Sequence, residues 1–390
     1  MSELIVRIAA RGDGVTVSGR HAAFAVPGDM LRDDGRVEPG AHHQPPPCRH
    51  FPECGGCLLQ HADDAAYRDY LVARVVGALA QHELAAEIRA PHLSPPRSRR
   101  RASLHAMRVG NSVAIGFNAA KSHRIVDMRE CHVLRRELFA LVAPLRSLLM
   151  GLLAPRRTAE VQLILADQGV DVLLKGVEPD GLAAIEAITA FSEAHSLARL
   201  GIDQGLGPET FYEPVPATIT LSGTAVALPP GAFLQATDDG EAALVAAMLD
   251  AVGEAAETAD LFAGLGTFAL ALPGRIYAAE AARDAVLALK TAAPALAVEH
   301  RDLYRRPLDA AELARFDAVV LDPPRAGAAE QIARIAASAV PRVGYVSCNP
   351  ATFARDAAAL SAGGFTLDWV QPVGQFRWST HVELAAAFSR

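Results

Sequence analysis

Five cysteines stand in this 390-residue sequence, and they fall into two unlike groups. Cys348 closes the short apolar run before Asn349-Pro350, and Glu383, in His381-Val382-Glu383-Leu384, is the only acid after Asp368. A thiol working with a carboxylate suits nucleophilic addition followed by base-assisted elimination. Thiolate addition at carbon 6 of a pyrimidine turns carbon 5 into an enolate carbon able to attack a methyl sulfonium. Loss of the carbon 5 proton then expels the sulfur. His381 is the alternative base. A free thiol is mostly protonated at neutral pH, so nearby positive charge should lower its pKa, with Arg325 and the sulfonium as candidates.

Two further motifs frame Cys348. Leu321-Asp322-Pro323-Pro324-Arg325 follows an apolar strand pattern; its adjacent prolines remove two backbone donors and stiffen a lip that sets Asp322 and Arg325 in a cleft. Upstream, Asp260-Leu261-Phe262-Ala263-Gly264-Leu265-Gly266-Thr267 reads as a strand turning into a helix, with Gly264 and Gly266 letting backbone approach a ligand. Glu280 ends the next strand, where a carboxylate can accept from a ribose diol. Asp302 follows the third strand, either near an adenine amino group or as a solvated loop acid. The third glycine of the dinucleotide fingerprint is absent, so S-adenosylmethionine fits better than NAD.

The other four cysteines are Cys48, Cys54, Cys57 and the distant Cys131. Four soft thiolates suit zinc or an iron–sulfur cluster. Only one Cys-x2-Cys pair is present, whereas simple zinc ribbons use two. Under a zinc reading His50, His61 and His132 are spare ligands.

These residues need elements to place them. From about Gly231 onward, strands ending at Asp260–Phe262, Ile276–Glu280, Ala295–Val298, Ala318–Asp322 and Gly344–Cys348 alternate with helices around Arg283–Ala292, Ala328–Ala337 and Ala351–Leu360. That pattern predicts an α/β, doubly wound parallel sheet. Phe365–Gln371 and Val382–Phe388 read as a closing hairpin. Earlier, Val161–Leu165 and Val170–Leu174 form a hairpin, and Ala65–Leu84 a helix. Residues 1–47 hold short strands (Glu3–Ala9, Val15–Ser18, Ala22–Val26), with a linker from Glu38 to Pro47. The division expected is 1–47, 48–230 and 231–390, consistent with a chain too long for one small core.

Net charge is −7, yet residues 81–140 carry 11 Lys/Arg against 5 Asp/Glu. A focused basic surface on an acidic body can still meet phosphates. No apolar run reaches the roughly 18 residues of a membrane span, and Met1–Ile5 lacks a basic n-region and long apolar core, so no signal peptide is expected. A cytoplasmic protein without membrane contact is the expectation, with monomer as the default state.

Asp-Pro-Pro-Arg at Asp322–Arg325, Ser-Cys-Asn-Pro at Ser347–Pro350, the terminal His381-Val382-Glu383 and Phe233-Leu234-Gln235 together resemble the uracil-C5 RNA methyltransferases. The resemblance covers nearly the whole chain. It implies a Rossmann-like class I methyltransferase sheet, Cys348 as nucleophile and Glu383 as proton acceptor. Around the methyl donor it implies Gln235, Phe262, Glu280, Asp302 and Asp322, with Asp322 also close to the target base. Members with this cysteine arrangement carry a [4Fe-4S] cluster, here on Cys48, Cys54, Cys57 and Cys131, within a central α+β RNA-binding region. The first 47 residues resemble a shortened TRAM domain, an OB-like β segment. Expected partners are RNAs, ribosomal before transfer, with the target uridine flipped into the cleft to become 5-methyluridine. Gly374-Gln375-Phe376-Arg377 departs from the family's frequent Asp-Met-Phe-Pro. The rivals are RNA cytosine-C5 methylation, disfavoured by Arg325 in place of a cysteine; amine methylation, for which Cys348 has no use; and a non-catalytic, metal-stapled RNA-binding protein.

Overall fold

In the computed structural model, which describes residues 2–390, the expected strand–helix alternation closes into one nine-stranded sheet. Its spatial order runs Ala297–His300, Arg275–Glu280, Glu257–Leu261, Ala318–Leu321, Arg342–Ser347, Glu383–Ser389, Thr366–Gly374 and Glu87–Ile88, with His92–Leu93 also pairing on Thr366–Gly374. The first five strands are parallel, and Glu383–Ser389 enters antiparallel between Arg342–Ser347 and Thr366–Gly374. The closing hairpin is therefore present, its last strand wedged inward.

Such strands read as unbroken apolar runs because both faces are covered. Ala318–Leu321 is buried at every residue. Helices Asp238–Val252 and Arg283–Ala292 pack one face through Leu244, Met248, Val286 and Leu289. Helices Asp64–Ala80, Ala329–Ala336 and Pro350–Ala362 cover the other through Leu71, Val75, Ile332, Phe353 and Leu360. Two helix starts are chemically marked. Asn349 caps Pro350–Ala362 with proline in the first turn, and Asp63 accepts from Ala66 N at 2.8 Å.

A second, six-stranded sheet lies between residues 101 and 212, ordered Pro208–Tyr212, Arg199–Asp203, Gly169–Lys175, Thr158–Ala166, Arg101–Val109 and Ser112–Gly116. The hairpin around Asp167-Gln168-Gly169 falls as expected, with Leu165 opposite Val170. Arg199 and Asp171, both buried, form a two-pronged ion pair at 2.9 and 2.7 Å that joins neighbouring strands. Before it, five short antiparallel strands from Glu3–Ile8 to Val37–Glu38 make a small open sheet.

Several expected elements differ in the structure. The segment expected to be a linker from Glu38 instead begins inside the last strand of the small sheet, and the expected strand Ala22–Val26 shrinks to His21–Ala22. The expected helix Ala65–Leu84 ends at Ala80. Asp64–Leu93, placed by sequence within the segment 48–230, lies on the carboxy-terminal sheet. That strap grips the loop ahead of Glu383. The Tyr67 hydroxyl faces the carbonyls of Phe376 and Ser379 at 3.0 and 3.1 Å, and Tyr70 reaches those of Ala10 and Thr380.

Candidate active site

At the carboxyl ends of the parallel strands the two large sheets enclose a cleft of about 1060 Å³. Gln235, Phe262, Gly264, Glu280, Asp302, Asp322, Cys348 and Glu383 all line it. Ligands of open α/β sheets sit at such strand ends, and here Phe262 with Gly264, Glu280, Asp302, Asp322 and Cys348 come from the ends of five successive parallel strands.

The donor side is built by a break in backbone direction. Strand Glu257–Leu261 ends in Phe262, whose φ of 62° is left-handed, and Gly264 follows at φ 56°. A side chain at Gly264 would meet nothing within 4 Å, so the backbone there is open to the cleft. Its N–H donates to Glu280 Oε2 at 2.9 Å while Ala282 N donates to Oε1 at 2.6 Å. The carboxylate is thus held at the lip with lone pairs left over. Gly266 corrects an expectation. It does not line the cleft, and a Cβ there would lie 2.5 Å from Leu289, so it serves helix–strand packing. Asp302 spends Oδ1 on Tyr304 N and Arg305 N, which folds its own turn. That turn presents Tyr304, which no sequence motif signalled; its ring meets Phe262 at 5.5 Å and forms an apolar shelf.

On the reacting side Cys348 follows strand Arg342–Ser347 and is half-buried. Burial pushes its thiol pKa up, Glu383 and Asp322 push the same way, and Arg325 only partly opposes them. The lowering expected from Arg325 is therefore outweighed in the free protein. Asp322 and Glu383 are both raised, chiefly by burial and, for Glu383, next by the Asp322 charge. Gln235 Nε2 donates to Asp322 Oδ2 at 2.9 Å. His381 Nδ1 is in contact with Arg325 Nη2, and burial then Arg325 lower the imidazole pKa. Its lone pair is committed, so Glu383 is the freer base.

Arginines of the strand 101–109 region divide by face, as alternation requires. Buried Arg100 turns away to Asp238 and Glu241 at 2.6 and 2.5 Å, and donates Nε to the Gln235 carbonyl at 3.1 Å, which fixes that segment from behind. Arg99 and Arg101 enter the cleft over the rings of Phe376 and Phe233, at 5.7 and 4.5 Å, without a carboxylate partner. Of the eleven basic residues in 81–140, Arg89, Arg100, Arg124, Arg129 and Arg135 are instead paired with acids. The basic surplus is therefore narrower than the count suggests.

Cys48, Cys54, Cys57 and Cys131 line a second, much smaller cavity with His50, Gln60, Glu130 and His132. Phe51, Phe117, Val126, Met128 and Val133 supply apolar wall. Cross-bonds hold it together: Gly55 N to Asn118 O, Cys48 N to Gln60 Oε1, and Arg129 N to His50 Nε2, which uses that ring's acceptor. Burial raises every one of these thiols, Cys57 to about 12. Among the described residues, no three His, Cys, Asp or Glu side chains converge tightly enough for a single metal ion, and the space between the walls is about 20 Å³. His61, a spare zinc ligand by sequence, does not line the cavity; it packs between the rings of Phe24, His43 and Phe51.

A seven-strand path in chain order 3-2-1-4-5-7-6, with the donor cradle after the first strand, defines an S-adenosylmethionine-dependent methyltransferase. The family model for tRNA (uracil-5-)-methyltransferase matches residues 230–390. An uncharacterized RNA methyltransferase of Zymomonas mobilis is 52% identical over 99% of both chains. The 23S rRNA (uracil(1939)-C(5))-methyltransferase RlmD of Aeromonas salmonicida is 31% identical over 91% of this chain and 84% of its own. The crystal structure of the Pyrococcus abyssi tRNA (uracil-54, C5)-methyltransferase in complex with S-adenosyl-L-homocysteine superposes with a TM-score of 0.74, at 21% identity and full coverage of both chains. The chain belongs to the uracil-C5 RNA methyltransferase family. Among the described residues, no helix is long and apolar enough to cross a membrane.

Proposed function

We propose that the enzyme makes 5-methyluridine in ribosomal RNA, 23S in particular, through a transient bond between Cys348 Sγ and carbon 6 of a flipped uridine. The observation that carries this is the meeting of one half-buried thiol, half-buried Asp322 and buried Glu383 at the same end of the sheet. S-adenosylmethionine supplies the methyl group when bound, and the Gly264–Glu280 lip with the Phe262–Tyr304 shelf suits its ribose and adenine. Cys348 adds to carbon 6, and carbon 5 takes the methyl group. Glu383 removes the carbon 5 proton, the C–H electron pair re-forms the 5,6 double bond, and the thiolate leaves. Arg99 and Arg101 suit RNA phosphates, and Phe233, an exposed ring in the cleft, suits a base.

RNA carrying 5-fluorouridine should trap a covalent complex with the wild type and none with Cys348→Ala; methylation by Cys348→Ala refutes the adduct. The RlmD relative supports ribosomal RNA. The matched family model is named for transfer RNA and supports that second reading. Mapping which RNA loses 5-methyluridine in a deletion strain separates them. RNA as substrate and five cysteines without a disulfide suit a cytoplasmic enzyme.

We further propose that Cys48, Cys54, Cys57 and Cys131 hold a [4Fe-4S] cluster with a structural role. The all-thiol donor set and the shared apolar cavity support it. Zinc on the same four thiols is the alternative reading. The narrow space between them requires the loops to part on loading. Protein purified without oxygen should be brown and contain iron and acid-labile sulfide; stoichiometric zinc in a colourless sample overturns the assignment.

A further inference from the structure

Gln375 lies directly after strand Thr366–Gly374 and is 2% exposed. Space for it is made by Gly240, where a Cβ would stand 2.7 Å from that of Gln375. Its Oε1 accepts from Ala236 N at 2.8 Å. A backbone N–H can only donate, so this contact settles the amide orientation. The amide nitrogen therefore faces the other way, 2.8 Å from Gln235 Oε1 and 3.2 Å from Glu383 Oε2. With its oxygen turned to Gln375, Gln235 must present its own nitrogen to Asp322 Oδ2, at 2.9 Å. Both N–H bonds of Gln375 are used, and the direction of every bond follows from one backbone donor.

We propose that Gln375 is a positioning residue that ties the Asp322 and Glu383 carboxylates into one directed relay, favours the ionised form of Glu383 and orients it to take the carbon 5 proton. This rests on the covalent reading above. Glu383 Oε2 is taken by Gln375, which leaves Oε1 for the substrate proton. A donor at Oε2 stabilises the carboxylate over the acid, against burial and the Asp322 charge, which both oppose ionisation. The groups facing Glu383 are Asp322 and Cys348 across the cleft and Arg101 and Arg325 on its rim, with His381 two residues before it. Removing the amide therefore raises the Glu383 pKa, and adduct release then needs a more alkaline solution. Gln375 also occupies a position where the family's Asp-Met-Phe-Pro has methionine, so Gln375→Met removes the donor while keeping length and much of the volume.

Adduct formation and release are followed separately with full-length protein, RNA and S-adenosylmethionine, by rapid quench and denaturing gels from about pH 6 to 9. In Gln375→Met, adduct should form at close to the wild-type rate, release should slow roughly tenfold near neutral pH, and the pH limb of release should move upward. Gln375→Glu, which keeps the shape and exchanges the donor for a charge, should move it further and carries the test if the methionine variant does not fold. Release with an unmoved pH limb, or an equal fall in both steps, overturns the assignment. If the wild type never forms an adduct, the covalent reading itself fails, an outcome distinct from either.

Discussion

The cleft and the cysteine cavity both gather groups whose charged forms burial disfavours, and they deal with this in opposite ways. In the cleft, Asp322 and Glu383 stand at strand termini and each receives a side-chain amide, from Gln235 and Gln375. The donors that favour the carboxylates come from the chain itself. In the cysteine cavity the side chains leave turns and loops rather than strands or helices, and all four thiols are pushed up by burial. The Arg99 and Arg97 charges pull the Cys131 thiol the other way. Burial therefore favours the neutral thiols there. One region gives its acids amide donors, and the other surrounds its thiols with apolar wall.

The contrast breaks first at Glu383. Glu383→Gln keeps the shape and the contact with Gln375 but cannot accept the carbon 5 proton. Release of methylated RNA should slow by about 10²–10⁴-fold, so protein–RNA adduct accumulates on denaturing gels. Release at the wild-type rate would transfer the base role to another group. Next in size is Arg100, whose guanidinium is buried against Glu241. Arg100→Met should cost about 3–5 kcal/mol of stability, read as a lower urea midpoint, because it strands the Glu241 carboxylate and frees the Gln235 carbonyl. An unchanged midpoint would mean that helix Asp238–Val252 is not held from behind in this way.

How much of each region the sequence revealed follows the same division. Cys348, Asp322, Glu280 and Phe262 sit where an alternating apolar pattern stops, so their meeting at one sheet edge follows from topology alone. Glu383 was legible by elimination, as the last acid. Gln375 was visible only as a departure from a motif, since an amide between two carboxylates has no spacing signature. Tyr67 and Tyr70 were hidden because their helix packs about three hundred residues away in sequence, on a sheet that reading by segments assigned elsewhere. Gly266 shows the reverse error: a glycine in a ligand-binding pattern can be required by a leucine behind it. That the four cysteines share one cavity was legible from their grouping, but not the cross-bonds around it, because loop backbone pairing such as Gly55 to Asn118 leaves no periodic trace.

A smaller effect is expected at Cys131, which sharpens the contrast. Cys131→Ser should remove most of the iron from anaerobically purified protein and lower the melting temperature by about 5 °C or more. Methyl transfer per folded molecule should stay within about threefold of wild type, because Cys131 does not line the catalytic cleft. Full iron content in the variant would remove Cys131 from the ligand set, and a collapse of turnover in folded protein would make the two regions one.

The smallest effect lies beneath the cleft, at Asp260. This residue is fully buried in strand Glu257–Leu261; Oδ2 accepts from Ala269 N at 2.8 Å while Oδ1 has no partner. Burial first, then the charges of Asp322 and Glu280, push its pKa up to about 8. The folded state thus prefers the protonated acid. For a raised carboxyl pKa the stabilisation is full below the unfolded value near 4 and is lost as pH rises through the folded value. Its contribution should accordingly shrink between about pH 4 and 8. Asp260→Asn keeps an oxygen for Ala269 and cannot ionise, so its urea midpoint should fall less than the wild type's between pH 6 and pH 9. Parallel pH profiles for the two proteins would mean that Asp260 is already ionised in the fold. The donor cradle would then rest on a buried charge, and the cleft would resemble the cysteine cavity more than it differs from it.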